Sequence, residues 1–324
     1  MGSPELAQYA DFYADMTRRF GLTDSIELWR DISERLHQLT PEPEDVTYKD
    51  VIANGVPAIL ITPGESSAEH ILLHCHSGGG VTASMWQERK AIGHLAKASG
   101  AQALAINYRL APEDKFPAQI DDVEAAFRWL LDQGYDPSRI VSSGDSIGGN
   151  FAVNLALTLQ RKNAPLPGAV VSISPWFDME LNNGTITSNA SNDKMLSHDL
   201  LRGFTEAMLD GTGIALTDPR INLAQADPAG LPPTMIYYGE YELLVDDSKQ
   251  FAERARAAGV DLELRSLPEG QHNFFLGAGH VPEITAAVAE IGAWVRSKIG
   301  LALATAGPAT RSPVPAGGKE AIPK

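Results

Sequence analysis

Ile140-Val141-Ser142-Ser143-Gly144-Asp145-Ser146-Ile147-Gly148-Gly149-Asn150 is the segment in which the architecture of this chain declares itself. A short apolar run leads into Gly-x-Ser-x-Gly. Apolar residues at Phe151, Val153, Leu155, Leu157 and Leu159 then continue it as a helix. A sharp strand-to-helix turn of this kind strains the backbone at the serine and tolerates only small residues two before and two after it, here Gly144 and Gly148. The turn lifts the Ser146 hydroxyl clear of the backbone. It also sets the hydroxyl at a helix N-terminus, where amides and the helix dipole favour a developing negative charge. The competing interpretation is a glycine-rich loop that only turns or binds phosphate, but the G-x-x-x-x-G-K pattern of a phosphate loop is not found here.

Outward from this turn the same rhythm repeats. Apolar runs at 58–62, 71–76, 103–108, 140–143, 169–174, 234–238 and 262–267 are separated, for the most part, by helical patterns at 84–98, 119–133, 147–161, 246–258 and 283–298. Strands alternating with helices imply an α/β fold, a mainly parallel central sheet covered by helices on both faces. Two helices are expected before it. The first carries Leu6, Tyr9, Phe12, Tyr13, Met16 and Phe20, the second Ile26, Trp29, Ile32, Leu36 and Leu39, with Gly21 and then Thr23 and Asp24 supplying a break and an N-cap. The stretch 180–215 has no strand-like run, but Met195, Leu200, Leu201, Phe204 and Met208 fall at helical spacing, so it is expected to be an insertion above the sheet. The resulting division is 1–45 as N-terminal helices, 46–299 as the α/β domain, and 300–324, rich in Ala, Pro and Gly, as a disordered tail.

Composition limits the partners. A net charge of −15 on 324 residues repels phosphate, so nucleic acid is not expected. The lone cysteine, Cys75, rules out an internal disulfide framework and reads as a small buried hydrophobe. No apolar run approaches the roughly 20 residues of a membrane span, and no basic stretch followed by an apolar one marks a secretion signal. A cytoplasmic location is the expectation.

A second glycine cluster, His74-Cys75-His76-Ser77-Gly78-Gly79-Gly80-Val81, follows directly on an apolar strand. Cleavage of an acyl group builds negative charge on the carbonyl oxygen. Loss of one preorganised N–H donor there typically costs about 3–4 kcal/mol of transition-state stabilisation. Glycines let backbone amides approach closely, so the N–H groups of Gly78, Gly79 and Ile147 are the expected oxyanion hole. His74 and His76 share a strand face and raise the alternative of a metal site. No carboxylate or third histidine stands close in sequence, so no metal is expected and a hydrogen-bonding role in the loop is preferred.

With both loops in place, the sequence resembles the bacterial hormone-sensitive-lipase-like (family IV) carboxylesterases of the α/β-hydrolase superfamily over most of 70–298. The resemblance is carried by His76-Ser77-Gly78-Gly79, Asn107-Tyr108-Arg109-Leu110-Ala111-Pro112-Glu113, Gly144-Asp145-Ser146-Ile147-Gly148-Gly149-Asn150, Ser174-Pro175-Trp176, Gly239-Glu240-Tyr241-Glu242 and His272-Asn273-Phe274. It implies an α/β-hydrolase fold with a helical cap and a catalytic triad in the order Ser146, Glu242, His272. Ser77 stands where the family has glycine. Ile147 replaces the usual alanine and is expected to narrow the space near the acyl group. Glu242 replaces the common aspartate, as in a subset similar to monoterpene ε-lactone hydrolases. Glu242 and His272 both follow strand-like runs, on the sheet edge where open α/β sheets bind ligands. Asp246 and Asp247 are nearby rivals for the acid, and Asp246 is expected to cap the helix that follows.

The helices before the domain and the 180–215 insertion would form the cap. Met16, Phe20, Met195, Phe204 and Met208, with Trp86, are candidates for the lining of an apolar pocket, although core packing is the plainer explanation for each. An apolar pocket suits a small uncharged ester or lactone, cleaved through an acyl-enzyme. The same triad could serve an amidase, deacetylase or acyltransferase, and a non-catalytic receptor is the remote alternative. No cofactor is implied, and a homodimer is compatible with the resemblance.

Overall fold

The computed structural model describes residues 2–21 and 25–302. Thr23, Asp24 and the expected tail from 303 onward lie outside the described residues. Among them, eight strands form one sheet: β1 (Val46–Ala53), β2 (Val56–Pro63), β3 (Ser67–Cys75), β4 (Ala101–Ile106), β5 (Ile140–Asp145), β6 (Ala169–Ile173), β7 (Thr234–Gly239) and β8 (Leu262–Leu267). Their order is β1-β2-β4-β3-β5-β6-β7-β8. The pairs β1–β2 and β2–β4 are antiparallel, and every other pair is parallel. The α/β expectation therefore holds. β1 is the strand that the apolar runs did not reveal, because it is an edge strand whose polar Thr47, Lys49 and Asp50 face solvent. The signal for it was the Asn54-Gly55 pair, with φ of 48° and 91°, which closes the β1–β2 hairpin.

The helices are α1 (Pro4–Phe20), α2 (Ile26–Glu34), α3 (Met85–Ser99), α4 (Ala118–Asp132), α5 (Ile147–Arg161), α6 (Thr185–Ser188), α7 (His198–Leu209), α8 (Val245–Ala257) and α9 (Pro282–Lys298). Alternation along β3 sorts the core into layers. Leu72 packs with α1, α3 and α9 through Tyr13, Ile92, Leu95, Ile291 and Val295. Ile71 and Leu73 face the other way, toward Phe127 and Leu130 of α4 and Phe151 and Leu155 of α5. Helix α8 extends the second layer, setting Phe251 and Ala252 against Val170 and Ile236. Ser25, not Asp24, caps α2, its Oγ accepting from the Leu28 N–H at 3.4 Å. Asp246 does not cap α8. The cap position is Leu244, and the Asp246 carboxylate instead accepts from Thr185 N at 3.1 Å, tying α8 to α6. No helix among the described residues is long and apolar enough to cross a membrane.

The turn after β5 is a tight crossing against β3. A Cβ on Gly148 would lie 2.1 Å from the Cys75 carbonyl oxygen and 2.5 Å from that of His76, at the end of β3. A Cβ on Gly144 would meet the Gly148 oxygen at 2.2 Å. Backbone is the obstacle in each case, so no rotamer relieves it. Gly148→Ala is expected to cost about 3 kcal/mol of stability by overpacking, measured by urea denaturation; a midpoint matching the parent would mean that α5 and β3 separate freely.

Candidate active site

Ser146 sits at φ 57°, ψ −122°, a strained conformation for a residue with a Cβ. Its neighbours hold it there. Its N–H donates to the Ile173 carbonyl at 2.9 Å, and its own carbonyl accepts from Trp176 N–H at 3.1 Å. The hydroxyl thus stands above the C-terminal end of β5. His272 arrives on the loop after β8 and Glu242 on the loop after β7. These two loops are joined by a 2.9 Å bond from Tyr241 N–H to the Gly270 carbonyl. His272 Nε2 is 2.9 Å from Ser146 Oγ, and His272 Nδ1 is 3.1 Å from Glu242 Oε2. Asp246 makes no such contact.

All three side chains are buried. Burial pushes the His272 imidazole down to about 4, opposed by the nearby charge of Asp193. Burial also raises the Glu242 carboxyl well above its usual range, with the Ser174 hydroxyl working against it. Asp193 did not stand out in the sequence. Its carboxylate accepts from the N–H groups of Met195, Leu196 and Leu243, each at 2.8 Å, and so pins the insertion to the Glu242 loop.

The glycine loop after β3 is clamped from below. Ser77 donates to Glu88 Oε1 from both its N–H (3.0 Å) and its hydroxyl (2.5 Å). The Tyr108 hydroxyl donates to the carbonyls of His76 (2.8 Å) and Ser77 (3.0 Å), while its ring stacks on His76 at 4.1 Å. Gly78 and Gly79 take φ of 94° and 63°. The N–H groups of Gly78, Gly79 and Ile147 have no acceptor among the described residues. Ser77, the departure from His-Gly-Gly-Gly, is therefore an anchor of the loop through Glu88.

The two histidines of the H-x-H pair have different surroundings. Burial pushes His76 down to about 4, so it is a neutral ring, and its Nδ1 lies 2.8 Å from the Ser77 carbonyl. His74 has the carboxylates that the sequence did not place near it. Its Nε2 lies 3.4 Å from Asp145 Oδ1 and 3.8 Å from Glu88 Oε2, and its Nδ1 is 3.0 Å from Ser143 Oγ. Ligand atoms of His74, Glu88 and Asp145 all fall within 4.8 Å of one another, so among the described residues this trio, without His76, is the set that could hold a metal ion. The three groups also perturb one another electrostatically. Burial opposes charge on every member and pushes Asp145 well up, with the charge of Glu88 adding to the effect. Against burial, the two carboxylates hold His74 up, and His74 with Ser77 holds Glu88 down. This cluster joins the residue before Ser146 to the base of the glycine loop.

Above these groups lies a narrow cavity of about 30 Å³. Of the candidate lining residues, Phe20, Met195 and Phe204 face it, together with Leu36, Leu200 and Leu201. Met16, Met208 and Trp86 do not. Met16 turns into the α1 core, and Met208 packs on Gly80, one helical turn below Phe204. Trp86, in the first turn of α3, points to solvent with 47% exposure. The Ile147 side chain also fails to line the cavity. It is fully buried in the layer of α4 and α5, so it narrows nothing near the nucleophile.

Helix α1 reaches the site from the other end of the chain. The Tyr9 and Tyr13 hydroxyls lie 2.6 Å apart and 2.8 and 3.1 Å from the carbonyl oxygen of Asn273, the residue after His272. Asn273 itself has φ 52°, and its N–H donates to Ser174 Oγ at 3.3 Å. The sequence showed both tyrosines only as members of an apolar helical stripe.

Residues 72–276 match a family model described as alpha/beta hydrolase fold. An acetyl-hydrolase of Streptomyces hygroscopicus is 34% identical over 276 residues, covering 80% of this chain and 91% of the relative. An esterase of Acinetobacter venetianus is 31% identical over 269 residues, covering 83% and 88%. Among solved structures, an esterase from the bacterial hormone-sensitive lipase family superposes with a TM-score of 0.88 at 35% identity, covering 93% of this chain and all of that one.

Replacing Tyr9 and Tyr13 together by Phe removes both donors from the Asn273 carbonyl. The expected outcome is a stability loss of about 2 kcal/mol and slower labelling of Ser146 by an organophosphonate probe. Labelling at the parent rate would show that α1 does not help to set the His272 loop.

Proposed function

The chain belongs to the bacterial hormone-sensitive-lipase-like carboxylesterases of the α/β-hydrolase superfamily, and we propose that it hydrolyses its esters with Ser146 as nucleophile, His272 as base and Glu242 as orienting acid. The observation that carries this assignment is the continuous buried chain Ser146 Oγ–His272 Nε2 at 2.9 Å and His272 Nδ1–Glu242 Oε2 at 3.1 Å. His272, neutral at rest, takes the Ser146 proton as Oγ attacks the ester carbonyl. Glu242 accepts the Nδ1–H, fixing the tautomer and offsetting the imidazolium charge. The carbonyl oxygen, now negative, is received by the unengaged N–H groups of Gly78, Gly79 and Ile147. The imidazolium then protonates the leaving alkoxide, and the acyl group remains on Ser146. A water deprotonated by His272 attacks that acyl-enzyme, releasing the acid and restoring the serine.

The substrate we infer is a small uncharged ester or lactone. No charged side chain is among the residues lining the cavity, which is walled mainly by Phe20, Leu36, Trp176, Met195, Leu200, Leu201 and Phe204. We take α1, α2 and the 180–215 insertion as a cap, since Phe20, Met195 and Phe204 on them close over Ser146.

Ser146→Ala is expected to abolish hydrolysis of p-nitrophenyl butyrate while leaving the urea midpoint within the range of ordinary substitutions; turnover near the parent rate would remove Ser146 from the mechanism. A second expectation concerns pH. The Asp193 charge favours the imidazolium, so it raises the pH at which His272 is lost as a base. Asp193→Asn should therefore shift the acid limb of kcat/KM to lower pH, and a shift upward would contradict the sign.

A further inference from the structure

The cavity contains one polar side chain that the mechanism leaves idle. Gln87, in the first turn of α3, is 2% exposed and lines the cavity beside Ser77, Gly78 and Thr82. Its backbone N–H is used, donating to Ser84 Oγ at 3.2 Å. Neither Oε1 nor Nε2 of its side chain has a hydrogen-bond partner among the described residues. Its polar neighbours are committed elsewhere. The Thr82 hydroxyl donates to the Gly78 carbonyl, Ser33 Oγ bridges the Arg30 carbonyl and the Ala83 N–H, and Ser77 is held by Glu88. Asn273 Oδ1 is another buried side-chain atom of the lining without a hydrogen-bond partner among the described residues.

A buried amide with both ends unpaired is costly to leave unmet. An apolar residue of the same length would fill this place without that cost. Placed in a substrate cavity, such a group rewards a ligand that completes it and penalises one that cannot. We propose, on the esterase reading of this same site, that Gln87 determines specificity: it forms a polar subsite that selects esters bearing a neutral oxo or hydroxyl group a few atoms from the scissile carbonyl. An oxo oxygen would accept from Nε2, and a hydroxyl would also give its proton to Oε1. A carboxylate is disfavoured, because no cation lines the cavity to receive it. The preferred substrate is therefore a bifunctional small molecule, not a plain alkyl ester.

Two matched pairs test this, one for each arm of the ester. On the acyl side, p-nitrophenyl 4-oxopentanoate is compared with p-nitrophenyl pentanoate; on the alcohol side, 4-oxopentyl acetate with pentyl acetate, followed by acid release. The parent enzyme is expected to favour the oxo member of at least one pair by about tenfold in kcat/KM, the worth of one good hydrogen bond. In Gln87→Met, which keeps length and packing, that ratio should fall to one or below, through faster cleavage of the apolar ester as well as slower cleavage of the oxo ester. Ratios near one for both pairs in the parent overturn the proposal without recourse to any variant, as does a preference that survives in Gln87→Met. Failure of the parent to hydrolyse all four esters would instead strike at the esterase reading itself.

Discussion

The contact between the start of α5 and the end of β3 is the constraint on which everything else rests. With hydrogen in place of a Cβ at Gly148, the helix descends onto the Cys75 and His76 carbonyls, and the chain must reverse within Gly144–Gly148. Ser146 is left at the crest with a strained φ of 57°. The same closeness brings β3 and its glycine loop alongside the turn, so a serine and a row of free N–H groups face one space. One steric fact thus sets two chemical elements of the site.

Closeness alone does not hold two loops in register. That work falls to buried polar groups beneath them. His74 sits between Asp145, which precedes the serine, and Glu88, which grips Ser77. Three ionisable side chains without access to water would be costly if each stood alone. Together the opposite charges favoured on His74 and Glu88 offset part of that cost, and Tyr108 adds a clamp on the carbonyls of the same loop. The rigidity of the loop is useful because donors fixed in advance need not reorganise when charge appears.

How much of this was legible in the sequence depended on how local its cause was. The nucleophile turn is written in five consecutive residues because its demand for glycines is a local steric one. The sheet was legible because buried parallel strands must be apolar, whereas β1 escaped through the polar pattern of an edge strand. Asp246 looked like a cap by position, but the nearby Thr185 N–H competed for its carboxylate. The partners of His74 and the tyrosines of α1 could not be read at all. Glu88, Asp145 and Asn273 meet them only through the fold, and no spacing rule connects such distant positions. Gln87 is similar: its residue type says nothing until the cavity around it is known.

The link between α1 and Asn273 has a consequence for how the chain reaches its native state. Tyr9 is synthesised 264 positions before its acceptor. Contacts so distant in sequence close slowly, because the loop entropy must be met before they contribute. Until residues 274–299 have emerged, the stripe of Leu6, Tyr9, Tyr13, Met16 and Phe20 has no finished surface to bury against. While those intervening positions are being made, the nascent chain carries a greasy, unsheltered helix, the kind of segment that chaperones hold. The helix that steadies the His272 loop in the finished molecule is thus the part of the growing chain most in need of protection.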